Sequence, residues 1–177
     1  SKKQQKYPLQ PPKRPNFKFP ITLPNWALNT YSVKLFNYLY HTFSARHEVE
    51  TIVPYDPYFY PLDHIQDWNK MYGSNGFTQY QCVFPVRTSY DGLNELLHTI
   101  SSYGQGSFLA VLKRFGHESL PDSLSFPMEG YTLALDFPMN SKTLALMNTL
   151  DEIVKKYDGR LYLAKDTRMS ANFFNET

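Results

Sequence analysis

Between residues 76 and 165 the apolar positions follow two alternating periods. Tyr80, Cys82 and Phe84 alternate with Gln79, Gln81 and Val83, which predicts a strand over 77–84. Leu93, Leu96, Leu97, Ile100 and Tyr103 then recur at three- and four-residue steps. They predict a helix capped by Thr88 or Ser89 and stopped by Gly104. A second strand reads over 108–115. A loop with Pro121 and Pro127 leads to a third strand over 131–137. Ser141 caps a second helix carrying Leu144, Met147, Leu150, Val154 and Tyr157. Asp158-Gly159 ends that helix, and a fourth strand begins over 160–163. This β-α-β-β-α-β order predicts an α+β fold of the ferredoxin-like, split βαβ kind: an antiparallel sheet with both helices on one face and the other face free.

The first 75 residues are less regular. Pro8, Pro11, Pro12, Pro15, Pro20 and Pro24 rule out regular helix or central strand over 1–25, so this stretch reads as an extended arm, with Phe17, Phe19 and Ile21 as anchors. A helical extension and an aromatic loop fill 26–75. Leu28, Tyr31, Leu35, Tyr38, Leu39 and Thr42 predict a helix over 26–44 with Asn25 as N-cap, and a short strand follows over 48–53. Residues 55–63 carry four aromatics between prolines and read as a turn-rich loop. Asp63 caps a short helix that passes through Trp68 and Met71 and stops at Gly73.

Composition narrows the function more than the fold. A net charge of +2 with scattered Lys and Arg gives no basic stripe for a nucleic-acid backbone. Cys82 is the single cysteine, which excludes an intrachain disulfide and a cysteine-rich zinc site. The five histidines lack metal-ligand spacing, so no metal is expected. No apolar run is long enough to cross a bilayer, and the first residues have no leader-like apolar region. Phosphate-binding glycine loops and a nucleophile elbow are absent, and the acids show no catalytic pairing. Any chemistry is therefore expected to come from something outside this chain.

Strand alternation places Gln79, Gln81, Thr132, Asp136 and Lys113 on the face that the helices leave free. Solvation is the ordinary fate of such a face. The alternative is a ligand floor, and two glutamine amides, each with two donors and an acceptor oxygen, suit sugar hydroxyls.

Seven stretches, in order and at consistent spacing over about 57–170, resemble the decaprenylphosphoryl-ribose oxidase family. These are FAD-linked oxidases of the vanillyl-alcohol-oxidase structural class. The stretches are Pro61-Leu62-Asp63 with Asp67-Trp68-Asn69; Tyr72-Gly73; Gly76 to Gln81; Ser107-Phe108-Leu109 with Val111-Leu112-Lys113; Leu124 to Pro127; Leu135 to Pro138; and Gly159 to Asp166. The resemblance implies that 76–165 is a substrate-binding domain and that 166–177 begins the return to an FAD-binding domain outside this chain. It implies oxidation of a secondary sugar alcohol, with hydride passing from ribose C2′ of a lipid-phosphate-linked sugar to the flavin and leaving a 2′-keto sugar. A reductase partner then completes an epimerisation. It further implies a cytoplasmic location with membrane contact through the lipid-linked substrate.

By position, Lys165 matches the family lysine beside the flavin and the reacting sugar, a catalytic and cofactor-contacting role. Tyr162 matches a tyrosine close to the same site. Gln79, Gln81 and Lys113 match polar pocket residues, and Leu109 and Phe115 match apolar ones. Thr132 and Ala134 stand where mycobacterial members carry Asn and Cys, and Phe59 stands where a pocket Tyr is found, so the sugar itself is the open point. For Tyr162 and Lys165 to share a site, the last strand must end or bend between them. Two other readings remain: an FAD-linked aldonolactone oxidase, whose terminal motif reads His-Trp-x-Lys rather than Tyr162-Leu163-Ala164-Lys165, and a non-catalytic ferredoxin-like binding module.

Overall fold

A computed structural model describes residues 17–24, 27, 29–44, 55–60, 65–107, 109–117, 125–165 and 168–176. Among the described residues, four short elements and one longer helix precede the main sheet. β1 (Phe17–Lys18) pairs in parallel with β2 (Ile65–Gln66), so the second half of the arm is held by backbone hydrogen bonds. α1 spans Thr30–Ser44 and α2 spans Tyr55–Phe59. A 3-10 turn, Trp68–Tyr72, ends at Gly73, as the chain pattern indicates. Asn25, Asp63 and the strand expected over 48–53 lie outside the described residues.

Two expectations for this region change. The helix starts at Thr30, because Asn29 caps it: its Oδ1 accepts from the backbone N–H of Tyr31 at 2.8 Å and of Ser32 at 3.0 Å. The stretch read as a turn-rich loop contains the helical turn α2.

The main body runs β3 (Phe77–Pro85), α3 (Ser89–Tyr103), β4 (Ala110–Phe115), β5 (Gly130–Pro138), α4 (Ser141–Lys156) and β6 (Arg160–Leu161). A C-terminal helix, α5 (Ala171–Glu176), follows. The four strands lie in the order β4-β5-β3-β6, and every neighbouring pair is antiparallel. The fold is α+β, and this order is that of a split βαβ unit. Tyr80, Cys82 and Phe84 of β3 and Leu133, Leu135 and Phe137 of β5 pack beneath Leu96, Ile100, Leu146, Met147, Leu150 and Val154 of the two helices. Each such large side chain contributes about 1.5–3 kcal/mol on burial.

Polar groups set the helix ends differently from the simple pattern. Asn140, not Ser141, caps α4: its backbone is extended and its side chain accepts from the N–H of Thr143 at 2.8 Å. Neither Thr88 nor Ser89 caps α3 with its hydroxyl. Thr88 donates to the Tyr157 carbonyl at 2.7 Å instead, which ties the start of α3 to the end of α4. Leu97 and Leu144 sit on the predicted apolar faces yet remain exposed. Phe108 lies outside the described residues, and β4 begins at Ala110.

The fourth strand is shorter than its alternation suggests. After Leu161 the Tyr162 N–H still donates to the Gln81 carbonyl at 2.9 Å, but the Lys165 N–H then closes a turn onto the Tyr162 carbonyl at 2.9 Å. The turn carries the chain off the sheet. A buried ion pair holds the segment beyond it, with Arg168 donating to both carboxylate oxygens of Asp151 on α4 at 2.7 and 2.8 Å.

Candidate functional site

The face opposite the helices is only partly open, contrary to the expectation of a bare surface. Val83, Thr132 and Asp136 all belong to it and are 0%, 1% and 1% exposed. Aromatic groups cover both of its ends. At one end Trp68 and Tyr72 of the 3-10 turn pack on Phe77, with ring centroids 5.0 and 4.8 Å away. At the other, Phe126 lies between Phe115 and Tyr162 at 6.0 and 4.7 Å. Arg160 fixes that end by donating to the Ser125 carbonyl at 3.1 Å.

Between these clusters lies a polar centre. Gln79 and Asp136 are cross-strand partners, and Gln79 Nε2 donates to Asp136 Oδ1 at 2.7 Å. Gln81 Nε2 donates to Thr132 Oγ1 at 3.2 Å, and the Thr132 hydroxyl donates to the Cys82 carbonyl at 2.8 Å. Burial raises the pKa of the Asp136 carboxyl, while the Gln79 hydrogen bond and the charge of Lys165 pull it back. Asp136 Oδ2 and the Tyr72 hydroxyl are buried without a hydrogen-bond partner among the described residues. Burial, aided by the charge of Asp136, pushes the Tyr72 phenol well up.

The expected site residues divide into three groups. Gln79, Gln81, Tyr162 and Lys165 come together with the core residues Tyr80, Leu161 and Met147 around a cavity of about 10 Å³ at the sheet edge, where β6 breaks off from β3. That volume is about one water molecule's worth, so a larger ligand would lie over the polar centre rather than inside the cavity. Leu109, Phe115 and Ala134 are half-buried on or beside the same face, and Lys113 is exposed on it opposite Thr132. Thr132 is fully buried with its hydroxyl engaged, so it supports the floor rather than lining it. A wider cleft of about 470 Å³ opens on the far side of Tyr162, between Phe126, Arg160, Leu163, Met169 and Phe174.

Strand alternation finds the glutamines. It gives no warning that Asp136 is the buried partner of one of them, or that Phe126 and Arg160 close one end of the face. Alternation puts Asp136 on the face of the glutamines but says nothing of its burial there.

Among the described residues no group of His, Cys, Asp and Glu could hold a metal ion, and no helix is long and apolar enough to cross a membrane. The polar floor, with a lysine at its margin and aromatic rings at both ends, can hold a hydroxyl-bearing ring and place a positive charge beside it.

No family model matches this chain. It is 33% identical over 158 residues to a decaprenylphosphoryl-beta-D-ribose oxidase of Mycolicibacterium smegmatis. The match takes in 88% of this chain and 33% of that protein, so the chain spans about a third of the length of the curated relative it resembles.

Proposed function

We propose that this chain forms the substrate-binding part of an FAD-dependent oxidoreductase that oxidises a secondary alcohol of a sugar. The first choice of substrate is a ribose linked through phosphate to a lipid, oxidised at C2′. The observation that carries this reading is the gathering of Gln79, Gln81 and Lys165 at the sheet edge where β6 breaks off, with Gln79 hydrogen-bonded to the buried Asp136. Similarity to an oxidase named for a phosphoryl-ribose substrate supports it.

In this reading the two glutamines hold sugar hydroxyls and fix the ring against the sheet. Leu109 and Phe115 give the ring an apolar flank and exclude water from it. Lys165 projects an ammonium group from the turn after β6, where it stabilises negative charge developing beside the sugar or holds a substrate hydroxyl. Tyr162 and Lys165 are the residues that would meet FAD. A half-buried aromatic next to an exposed cation fits one wall of a flavin site, the rest of which other polypeptide provides. FAD, when bound, supplies the two-electron acceptor for the hydride lost by the alcohol carbon. A reductase partner that returns hydride to the opposite face would complete an epimerisation.

The test uses this segment joined to the polypeptide that supplies the flavin-binding portion. Lys165→Ala is expected to slow anaerobic single-turnover flavin reduction by substrate by on the order of a hundredfold. An unchanged rate would remove Lys165 from the mechanism.

A further inference from the structure

The hydrogen bonds beneath the two glutamines decide which way their amides point. Thr132 has a single hydroxyl proton, and it goes to the Cys82 carbonyl at 2.8 Å. Toward Gln81 the same oxygen can only accept, so the amide atom facing it at 3.2 Å must be the nitrogen. When its charge is in place the Asp136 carboxylate also only accepts, and the Gln79 atom facing it at 2.7 Å is then the nitrogen. A reversed amide would set oxygen against oxygen in either place. Both residues beneath are 1% exposed, so water does not compete for these bonds.

We propose that Asp136 and Thr132 are positioning residues: they lock the Gln79 and Gln81 amides so that both side-chain carbonyl oxygens face the open side, which makes the floor select ligands that donate two hydroxyl protons. The two acceptors stand on alternate residues of one strand, about 6.7 Å apart at their Cα atoms. Lys165, beside them, is the complementary donor. Free hydroxyls are therefore recognised, and ethers at the same positions, which accept but cannot donate, are rejected. Neither glutamine Oε1 receives a hydrogen bond among the described residues, which leaves both available. This specificity deepens the sugar-binding reading above and rests on it. The amide lock itself does not.

Two measurements on the intact chain separate the parts. The first is side-chain amide NMR of Gln79 and Gln81. Gln81 amide protons should show contacts to the Thr132 methyl group, and one Gln79 amide proton should resonate downfield. Thr132→Val should abolish the first signature, Asp136→Asn should weaken the second, and Thr132→Ser should keep the Gln81 amide protected from exchange. The backbone spectrum reports in each case that the sheet is intact.

The second is a titration with methyl β-D-ribofuranoside and with its 2,3-di-O-methyl ether. The free sugar should bind about tenfold more tightly than the ether, and that ratio should fall to within about twofold in Asp136→Asn and Thr132→Val. Glutamine amides that exchange freely and ignore both substitutions would overturn the lock. Tighter binding of the ether, or an unchanged ratio in the variants, would overturn the selectivity. A locked pair of amides with no binding of either compound would uphold the lock and sink the sugar reading instead.

Discussion

Asp136 is held where a carboxylate is least comfortable. It is 1% exposed, one oxygen accepts from Gln79, and burial raises its pKa. A carboxyl whose pKa is higher folded than unfolded takes up its proton more readily in the native state. Its charge therefore opposes folding at neutral pH, and stability from this group grows as pH falls through the raised native value, completing below the ordinary carboxylate value. Comparing urea unfolding of the wild type with Asp136→Asn across that range should show the wild type gaining relative stability on acidification. A wild type that loses stability relative to the variant on acidification would contradict the burial argument.

Cys82 is the opposite case, a group that burial silences. It is fully enclosed between sheet and helices, and its thiol is pushed up to about 12. It should resist thiol reagents at neutral pH until the chain unfolds. Rapid labelling of the native protein would refute that placement. At this scale alternation alone assigned the glutamines and Cys82 to their faces. The burial of Thr132 was not legible, because a threonine on a half-open face looks the same whether its hydroxyl meets solvent or a neighbouring carbonyl.

Elements fail or hold at their ends. Asn140→Ala should cost about 1 kcal/mol in urea unfolding, because the Thr143 N–H loses its acceptor, whereas Ser141→Ala should cost much less. Gly130 faces β3 so closely that an added Cβ would lie 1.9 Å from the Phe84 carbonyl oxygen. Gly130→Ala must therefore push β5 off β3 and should cost about 3 kcal/mol. Arg168→Ala leaves Asp151 buried without its bidentate partner and should also cost about 3 kcal/mol, with the C-terminal segment loosening first. Hydrogen exchange over 168–176 checks the last of these. The strand-helix order was readable from periodicity. The early end of β6 was not: Leu161 and Leu163 continue the alternation, and the turn that stops it is made by backbone groups common to every residue. Only the need for Tyr162 and Lys165 to share a site hinted at it.

At the scale of the molecule, two helices cover one side of the sheet and the other side is built in three zones. Aromatic clusters cover its two ends, and a polar centre lies between them with Lys165 at the margin. Periodicity could supply the layers but not the zoning, because Phe126 reaches the sheet from a loop, and the short helix expected through Trp68 gives no sign of what its aromatics pack on. The same limit applies to α1. Its Tyr31, Leu35 and Tyr38 recur at helical spacing as though for a core, yet all three are exposed in this chain. Spacing says that a face is apolar and not what it meets.

The central claim is that the polar zone is where a sugar rests. It is tested most directly by titrating the isotope-labelled chain with a phosphoryl-ribose carrying a short prenyl chain and mapping the residues whose NMR signals move. The largest shifts are predicted at the Gln79 and Gln81 side chains, Lys165 and Phe115, with α3 and α4 silent. Shifts confined to the helical side, or to α1, would contradict it.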